Sequence, residues 1–234
     1  MQQRLRRVAP FLLYDSDPYL VIHDGRLVWM QDAYTTTDRY PYSEPISISM
    51  GDRRGYFKIN YIRNSVKATV DAYDGTMRFY IVNENDPLIK TWKQIFPSLF
   101  SSIEEMPKNL REHIRYPKDM FSIQSETLKT YHMLDPNTFY NKEDVWQTYR
   151  GSDGTEPLAA HYMIMKLGDG QPAEFALIAP FMPVGRDNMI AWMAGRCDGE
   201  KYGELLVYTF PKQKLIYGPA QVEALTNQHP EISS

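Results

Sequence analysis

The feature that most constrains the fold is an Asp-Gly pair set between two apolar runs near the N-terminus. Asp24-Gly25 separates Tyr19–His23 from Arg26–Met30. Asp-Gly readily adopts the positive φ angles of a type I′ turn, which matches the twist of two antiparallel strands. The pattern therefore predicts a β-hairpin. Because both strands are apolar on both faces, it also predicts that they are buried.

A second hairpin is predicted around Asp74-Gly75, which separates Ser65–Tyr73 from Thr76–Val82. In its first strand the even-numbered residues from Val66 to Ala72 are apolar, and the odd-numbered ones from Lys67 to Tyr73 are polar or amphipathic. An alternation of period two is typical of a strand with one face in the core and one towards solvent. Another strand is predicted just before it, over residues 56–63.

The hydrophobic period changes after residue 85, which predicts a central block of short helices. Asp86 followed by Pro87 is the usual pattern of a helix N-cap and first helical position. Prolines at positions 97, 107, 117 and 136 then divide the middle third of the chain. The predicted core faces are Leu88, Trp92, Ile95 and Phe96 in the first helix, Leu110 and Ile114 in the second, and Met120, Ile123, Leu128 and Tyr131 in the third.

Strand patterns return after a small, polar segment at 150–155. They predict a hairpin from His161–Leu167 and Glu174–Ala179, and another from Glu204–Phe210 and Lys214–Tyr217. The order strands, helices, strands is typical of an α+β fold and not of alternating βαβ units. We therefore predict a mixed or mostly antiparallel sheet built from hairpins, with the short helices packed on one side or end. Residues 1–234 are predicted to form a single soluble domain, and a subdomain break near 150–156 is the alternative.

Composition excludes several classes of protein. The formal net charge is −3, with basic and acidic residues interspersed, so the chain offers no broad basic face for nucleic acid. A single cysteine, Cys197, rules out a disulfide framework within the chain and a cluster of cysteine metal ligands. No apolar run approaches the ~18 residues of a membrane-spanning helix. We expect an ordinary globular core.

Motifs that carry chemistry are missing from the sequence. It contains no glycine-rich phosphate loop, no Gly-x-Ser-x-Gly elbow and no pair of histidines at metal-ligand spacing on a helix. We therefore predict no catalytic residue, no cofactor and no metal site, and we favour a binding or assembly role over an enzyme. The alternative is a hydrolase with paired carboxylates, for which Asp32, Asp38 and Asp71 are the acids to consider.

The most unusual segment is Gln31–Ser43, which combines tyrosines, threonines, carboxylates and an arginine. It could stack on and hydrogen-bond a polar ligand, or it could be a loop held by Asp-Arg pairing and tyrosine packing. A shorter polar segment, Gly185–Asn188, is expected to cap a helix or to anchor a loop through Arg186. The ligand-binding residues predicted on the first interpretation are Asp32, Tyr34, Thr36, Asp38, Arg39, Tyr40 and Tyr42.

Several blocks together resemble one protein family. They are DAYTTTDRYPY at 32–42, NYIRNSVK at 60–67, VDAYDGT at 70–76, IFPSLF at 95–100, IRYP at 114–117, PVGRDNM at 183–189 and YGPAQVEA at 217–224. The chain resembles, over nearly its whole length, the bacterial membrane proteins catalogued as uncharacterised protein family number 0182.

The resemblance implies a membrane context. Members of the family look like long multi-pass proteins of the cell membrane with a large soluble region facing outward, and this chain corresponds to part of that region. Its partners would then be the remainder of its own membrane-anchored chain, together with an envelope ligand or a second copy of itself. The resemblance implies no activity and no catalytic residues.

Overall fold

The computed structural model describes residues 1–48, 57–149, 160–168, 170–211 and 213–228. The chain divides into two compact units, Met1–Met120 and Phe121–Ser234. The break predicted near 150–156 lies outside the described residues, and the division between the two units falls between residues 120 and 121.

The first unit is a sheet flanked by short helices. Its main sheet has the strand order β1-β3-β6-β7-β8, with β2 also paired to β3. All of its strand pairs are antiparallel except β7 with β8, which is parallel. The elements are α1 (Gln2–Val8), β1 (Leu13–Tyr14), β2 (Tyr19–His23), β3 (Arg26–Thr37), β4 (Ile46–Ile48), β5 (Phe57–Ile59), β6 (Tyr61–Asp71), β7 (Met77–Ile81), α2 (Pro87–Ile95), β8 (Phe100–Ser102) and α3 (Lys108–Arg111).

The second unit contains its own antiparallel sheet, in the order β10-β11-β12-β13, with β9 also paired to β11. Helix α4 (Lys118–Tyr131) begins before the division and continues past it. The other elements are α5 (Pro136–Asn141), β9 (Trp146–Gln147), β10 (His161–Met165), β11 (Glu174–Pro183), β12 (Ala191–Arg196), β13 (Leu205–Thr209) and α6 (Pro219–Gln228). Between α1 and α6 the chain runs from strands through a mainly helical middle segment to strands again, which confirms the predicted α+β class.

The Asp24-Gly25 hairpin forms as predicted. Both residues have positive φ, +47° and +73°, and β2 pairs with β3 from Tyr19 opposite Met30 to His23 opposite Arg26. The predicted burial of both strands is wrong for β2. Among the described strands β2 pairs only with β3, at an edge of the sheet, and Ile22 is 70% exposed. Apolar residues on both faces did not distinguish an edge strand from a central one.

Strand β6 is covered on both faces, so the prediction of a solvent-facing side is wrong. One face carries Val66, Ala68 and Val70 and packs in a core with residues of α1 and α2. On the other face Lys67 is only 1% exposed and Thr69 is also buried. That side of the sheet faces a second core, which includes residues of β2, β3, β7 and α3. A second layer therefore covers the polar face.

A β-bulge interrupts the pairing of β3 with β6. Ala33 lies opposite Val66 and Thr35 opposite Arg63, so two steps along β3 correspond to three steps along β6. The extra residue is in β6. A bulge lets two consecutive side chains point to nearly the same side of a sheet. Ser65 accordingly reaches the α2 side, where its hydroxyl donates to Asp86.

The middle helices follow their predicted starts. Asp86 caps α2 by accepting from the Leu88 amide, and Pro87 is its first residue. The buried face of α2 differs from the prediction, because Ile89 is buried whereas Ile95 and Phe96 are exposed. No described helix is both long enough and apolar enough to cross a membrane.

Two features of the second unit differ from the prediction. Glu204–Phe210 was expected to pair with Lys214–Tyr217, but β13 pairs with β12, while Tyr217 forms only an isolated bridge with Asn188. The partner of β13 is instead residues 191–195 of β12. Helix α6 was not predicted, although Pro219 at its start after Gly218 is a usual signal.

Candidate functional site

The predicted ligand-binding residues separate into a buried group and an exposed group. Asp32 and Tyr34 are buried in β3, whereas Thr36 is half-buried opposite Ile62. The other four lie past the end of β3 and are exposed: Asp38, Arg39, Tyr40 and Tyr42. The structure therefore does not bring the seven residues to one surface, and their role in binding stays a prediction.

The exposed group lies on a loop that is held from the neighbouring strands. The side-chain amide of Asn60 donates to the carbonyls of Tyr40 and Ser43, at 2.8 and 3.1 Å, and its oxygen accepts from the Tyr40 amide. Tyr40 stacks on Tyr61 with ring centroids 5.3 Å apart. The pair Arg39–Asp38 is long, at 3.8 Å, and fully on the surface. Asn60 and the tyrosine stack, more than Asp-Arg pairing, order this loop.

Asp32 forms a buried ion pair with Lys67, its direct neighbour on β6. Both side chains are almost wholly inaccessible, and the Lys67 ammonium also lies 3.4 Å from the Arg115 carbonyl. Removing two charges from water is unfavourable unless they are paired and further hydrogen-bonded. This pair is therefore part of the core, where a large soluble ligand does not reach it.

Tyr34 donates a short hydrogen bond to Asp15, a second buried carboxylate, which follows β1. Asp15 also accepts from the amides of Asp17 and Asp119, the latter in the first turn of α4. Burial, together with the negative charges of Asp119 and Asp32, raises the pKa of Asp15 to about 7, although the Tyr34 hydrogen bond lowers it. The pKa of Asp119 is also raised, mainly by burial.

A further carboxylate, Asp86, is surrounded by donors. It accepts from the hydroxyls of Thr35 at 2.5 Å, Ser65 at 2.6 Å and Tyr61 at 2.7 Å, as well as capping α2. Burial raises its pKa, but these hydrogen bonds outweigh burial and lower the pKa overall. Because the Asp86 carboxylate accepts four hydrogen bonds within the chain, it has no lone pair left for a ligand and is structural.

The second unit contains a cleft of about 700 Å³. Helix α6 contributes residues at spacing i, i+3, i+4 and i+7, which places them on one helix face. Helix α4 contributes two residues one turn apart. The lining residues are Glu126, Lys129, Gln147, Thr148, Tyr149, Met182, Arg186, Asp187, Ala220, Glu223, Ala224 and Asn227.

The cleft carries charges of both signs. Lys129 pairs with Glu126 at 2.6 Å, and the Tyr149 hydroxyl donates a short hydrogen bond to Glu223. Within the described part of the chain, the side chains of Arg186, Asp187 and Asn227 have no hydrogen bond or ion pair. They offer donors and acceptors to a bound molecule.

Sequence reasoning missed most of this cleft. Its residues come from four separate segments, and only Arg186 and Asp187 lay in a segment singled out as polar, where a structural role was expected. The segment Gly185–Asn188 forms a turn and loop after β11, so it does not cap a helix. Among the described residues, no group of three or more His, Cys, Asp or Glu side chains is placed to hold a metal ion.

Fold and cleft define an α+β protein of two compact units, the second of which presents a polar cleft of ligand size. The chain belongs to the Uncharacterised protein family (UPF0182), which matches it over residues 1–234. This match confirms the resemblance found in its sequence blocks. No solved structure matches the chain.

Relatives within this family are similar throughout the chain. A UPF0182 protein of Microcystis aeruginosa is 55% identical over 240 residues, covering 100% of this chain and 24% of its own length. Those of Trichodesmium erythraeum and Sulfurovum are 49% and 50% identical, and the matches cover 27% and 25% of their lengths. The chain thus spans about a quarter of the length of the curated relatives it matches.

Proposed function

We propose that this chain is an extracytoplasmic binding domain of a multi-pass membrane protein, and that it holds a polar ligand in the cleft of its second unit. The observation that carries the binding role is the cleft itself, in which the side chains of Arg186, Asp187 and Asn227 bond to no other described residue. Ligand sites are concave, with an apolar lining and a few polar groups that orient the ligand. The membrane context rests on the family resemblance alone.

The mixed lining favours a neutral ligand rich in hydroxyl groups, such as a glycan segment of the cell envelope. Two cations and three carboxylates line the cleft, so a strongly charged ligand of either sign would meet repulsion. A hydroxyl group both donates and accepts, and it can pair with arginine, carboxylate and amide alike. Met182, Ala220 and Ala224 supply apolar surface for the face of a sugar ring.

Replacing Arg186 with alanine is expected to weaken glycan binding by roughly ten- to a hundredfold, because a hydrogen bond from a charged donor is worth about 1.5–3 kcal/mol. Titration of the isotope-labelled chain with soluble envelope glycan fragments, followed by NMR, gives the affinity and the residues that shift. Arg39→Ala is the matched control, since Arg39 is 91% exposed and lies in the first unit. If Arg39→Ala lost binding while Arg186→Ala kept it, the site would lie on the loop after β3 and not in the cleft.

A hydrolase is the second candidate, because three carboxylates share this cleft: Glu126, Asp187 and Glu223. The acids considered from the sequence do not line this cleft. Asp32 pairs with Lys67, Asp38 with Arg39, and Asp71 with Arg26. New signals of cleaved glycan during the same titration, absent in Glu223→Gln, would favour the hydrolase over simple binding.

The outward orientation can be checked in cells. In a longer protein containing this domain, Arg39→Cys places a thiol at an exposed position, whereas the natural Cys197 is buried. A membrane-impermeant maleimide is expected to label the variant in intact cells more strongly than the parent protein. Labelling only after lysis would place the domain in the cytoplasm.

A further inference from the structure

Strand β13 is an edge strand whose outer backbone groups are available. The Phe210 amide donates to Ile190, and the Arg196 amide donates to Glu204, so the even-numbered residues of this segment bond to β12. Antiparallel strands alternate the direction of their hydrogen bonds, and the odd-numbered residues therefore point away from the sheet. These are Leu205, Val207 and Thr209. Their outward amides and carbonyls bond to no described residue.

The side chains of β13 are apolar and accessible. Leu205 and Val207 are each 39% exposed and Tyr208 is 47% exposed. Proteins usually protect an edge strand with a lysine, a proline or a bulge. The segment Leu205–Thr209 contains no charged residue and no proline, and its register with β12 runs without a shift. The edge is therefore open to another strand.

We propose that β13 pairs antiparallel with β13 of a second copy of this chain, about a two-fold axis at Val207. In this register Val207 lies opposite Val207 of the partner subunit, and Leu205 lies opposite Thr209 of the partner subunit. By symmetry Thr209 also lies opposite Leu205 of the partner subunit, and each of the three facing pairs can exchange two backbone hydrogen bonds, roughly six in all. The interface is isologous, as most dimer interfaces are.

The sequence of β13 suits this occupant. Leu206 comes opposite Tyr208 of the partner subunit, an aliphatic-aromatic pair of the kind that stabilises neighbouring strands. Glu204, the nearest charge, comes opposite Phe210 of the partner subunit, so no like charges face each other. Pro211 ends the segment and limits the pairing to residues 204–210. Because the outer edge of β13 is self-complementary and carries no charge, it can pair with the same edge of a second copy of the chain.

Sedimentation equilibrium of the 234-residue chain tests the proposal. We expect a mass that rises with concentration from 27.3 kDa towards twice that value. Val207→Lys should weaken the dimer roughly tenfold or more, because two ammonium groups then lie opposite each other. Val222→Lys makes the same change on α6 at a residue that is 50% exposed, and it should leave the dimer unchanged.

Amide hydrogen exchange gives a second measurement that needs no variant. The amides of Leu205, Val207 and Thr209 should gain protection as concentration rises, while the other amides of β13 stay constant. The mass of one chain at every concentration would overturn the proposal. So would a dimer that Val207→Lys and Val222→Lys weaken equally. The cleft takes no part in these measurements, so their outcome is independent of ligand binding.

Discussion

Replacing Lys67 with methionine is expected to lower the free energy of unfolding by about 3–5 kcal/mol, because the carboxylate of Asp32 would remain buried without its partner. Methionine keeps most of the volume of the lysine stem, so the loss reports the charge and not a cavity. Urea denaturation followed by circular dichroism measures it.

The double variant Asp32→Asn, Lys67→Met should recover part of the loss, since it leaves no buried charge. Arg26→Met is the matched control, because the Arg26–Asp71 pair joins the same strands at the surface and should contribute no more than about 1 kcal/mol. Equal effects of Lys67→Met and Arg26→Met would contradict the burial of the first pair.

Stability should fall as pH rises through 7, by an amount on the order of 2–4 kcal/mol, because of Asp15. Its pKa is about 7 in the folded chain, against an ordinary value of 3.8, with burial as the main cause. The folded state therefore holds this proton more tightly than the unfolded state does. The resulting stabilisation is complete below about pH 4 and is lost as pH rises through 7. Thermal or urea unfolding between pH 5 and 8 measures the slope.

Asp15→Asn should flatten this slope, although its amide replaces one acceptor and lowers stability at every pH. Asp71→Asn serves as the comparison. Hydrogen bonding to Arg26 and to the Tyr73 amide lowers the pKa of Asp71 to about 2. Its stabilisation is present above about pH 4 and is lost as pH falls through 2, the opposite sign in a different window. An unchanged slope between pH 5 and 8 in Asp15→Asn would show that another group carries it.

Local signals in the sequence predicted those parts of the fold that local chemistry decides. Asp24-Gly25 predicted a hairpin because few residue pairs tolerate two positive φ angles, and both angles are observed. Asp86-Pro87 predicted the start of α2 because the cap needs only its own side chain and the next amides. The α+β class followed from the order of such segments.

Burial could not be predicted in the same way. The alternation in β6 identifies two faces, but it does not reveal that helices and loops cover both of them. Lys67 therefore read as a solvent-facing residue, although it is buried against Asp32. The one available signal was that Lys67, in the middle of a long strand, lies opposite Asp32, which is two residues from Tyr34. Recognising this signal requires the register of β3 with β6.

The cleft was beyond sequence reasoning for a related cause. The cleft is lined by four separate segments of the chain, represented by Glu126, Gln147, Arg186 and Glu223. The first and last of these residues are 97 positions apart in the sequence, from 126 to 223. No motif spacing links them. The conspicuous tyrosine-rich segment at 31–43 instead reflects two local tasks, a buried polar network at one end and a loop held by Asn60 at the other.

The bulge in β6 also changes how this strand must be compared between relatives. Before Asn64, odd-numbered residues such as Tyr61 and Arg63 are on the face that even-numbered residues such as Val66 and Ala68 occupy after it. The alternation of side chains between the two faces of β6 therefore shifts by one residue at the bulge. Substitutions at 61 and 63 should therefore be compared with those at 66 and 68, which lie on the same face. An alignment that deletes the extra residue would assign every side chain before it to the wrong face of the sheet.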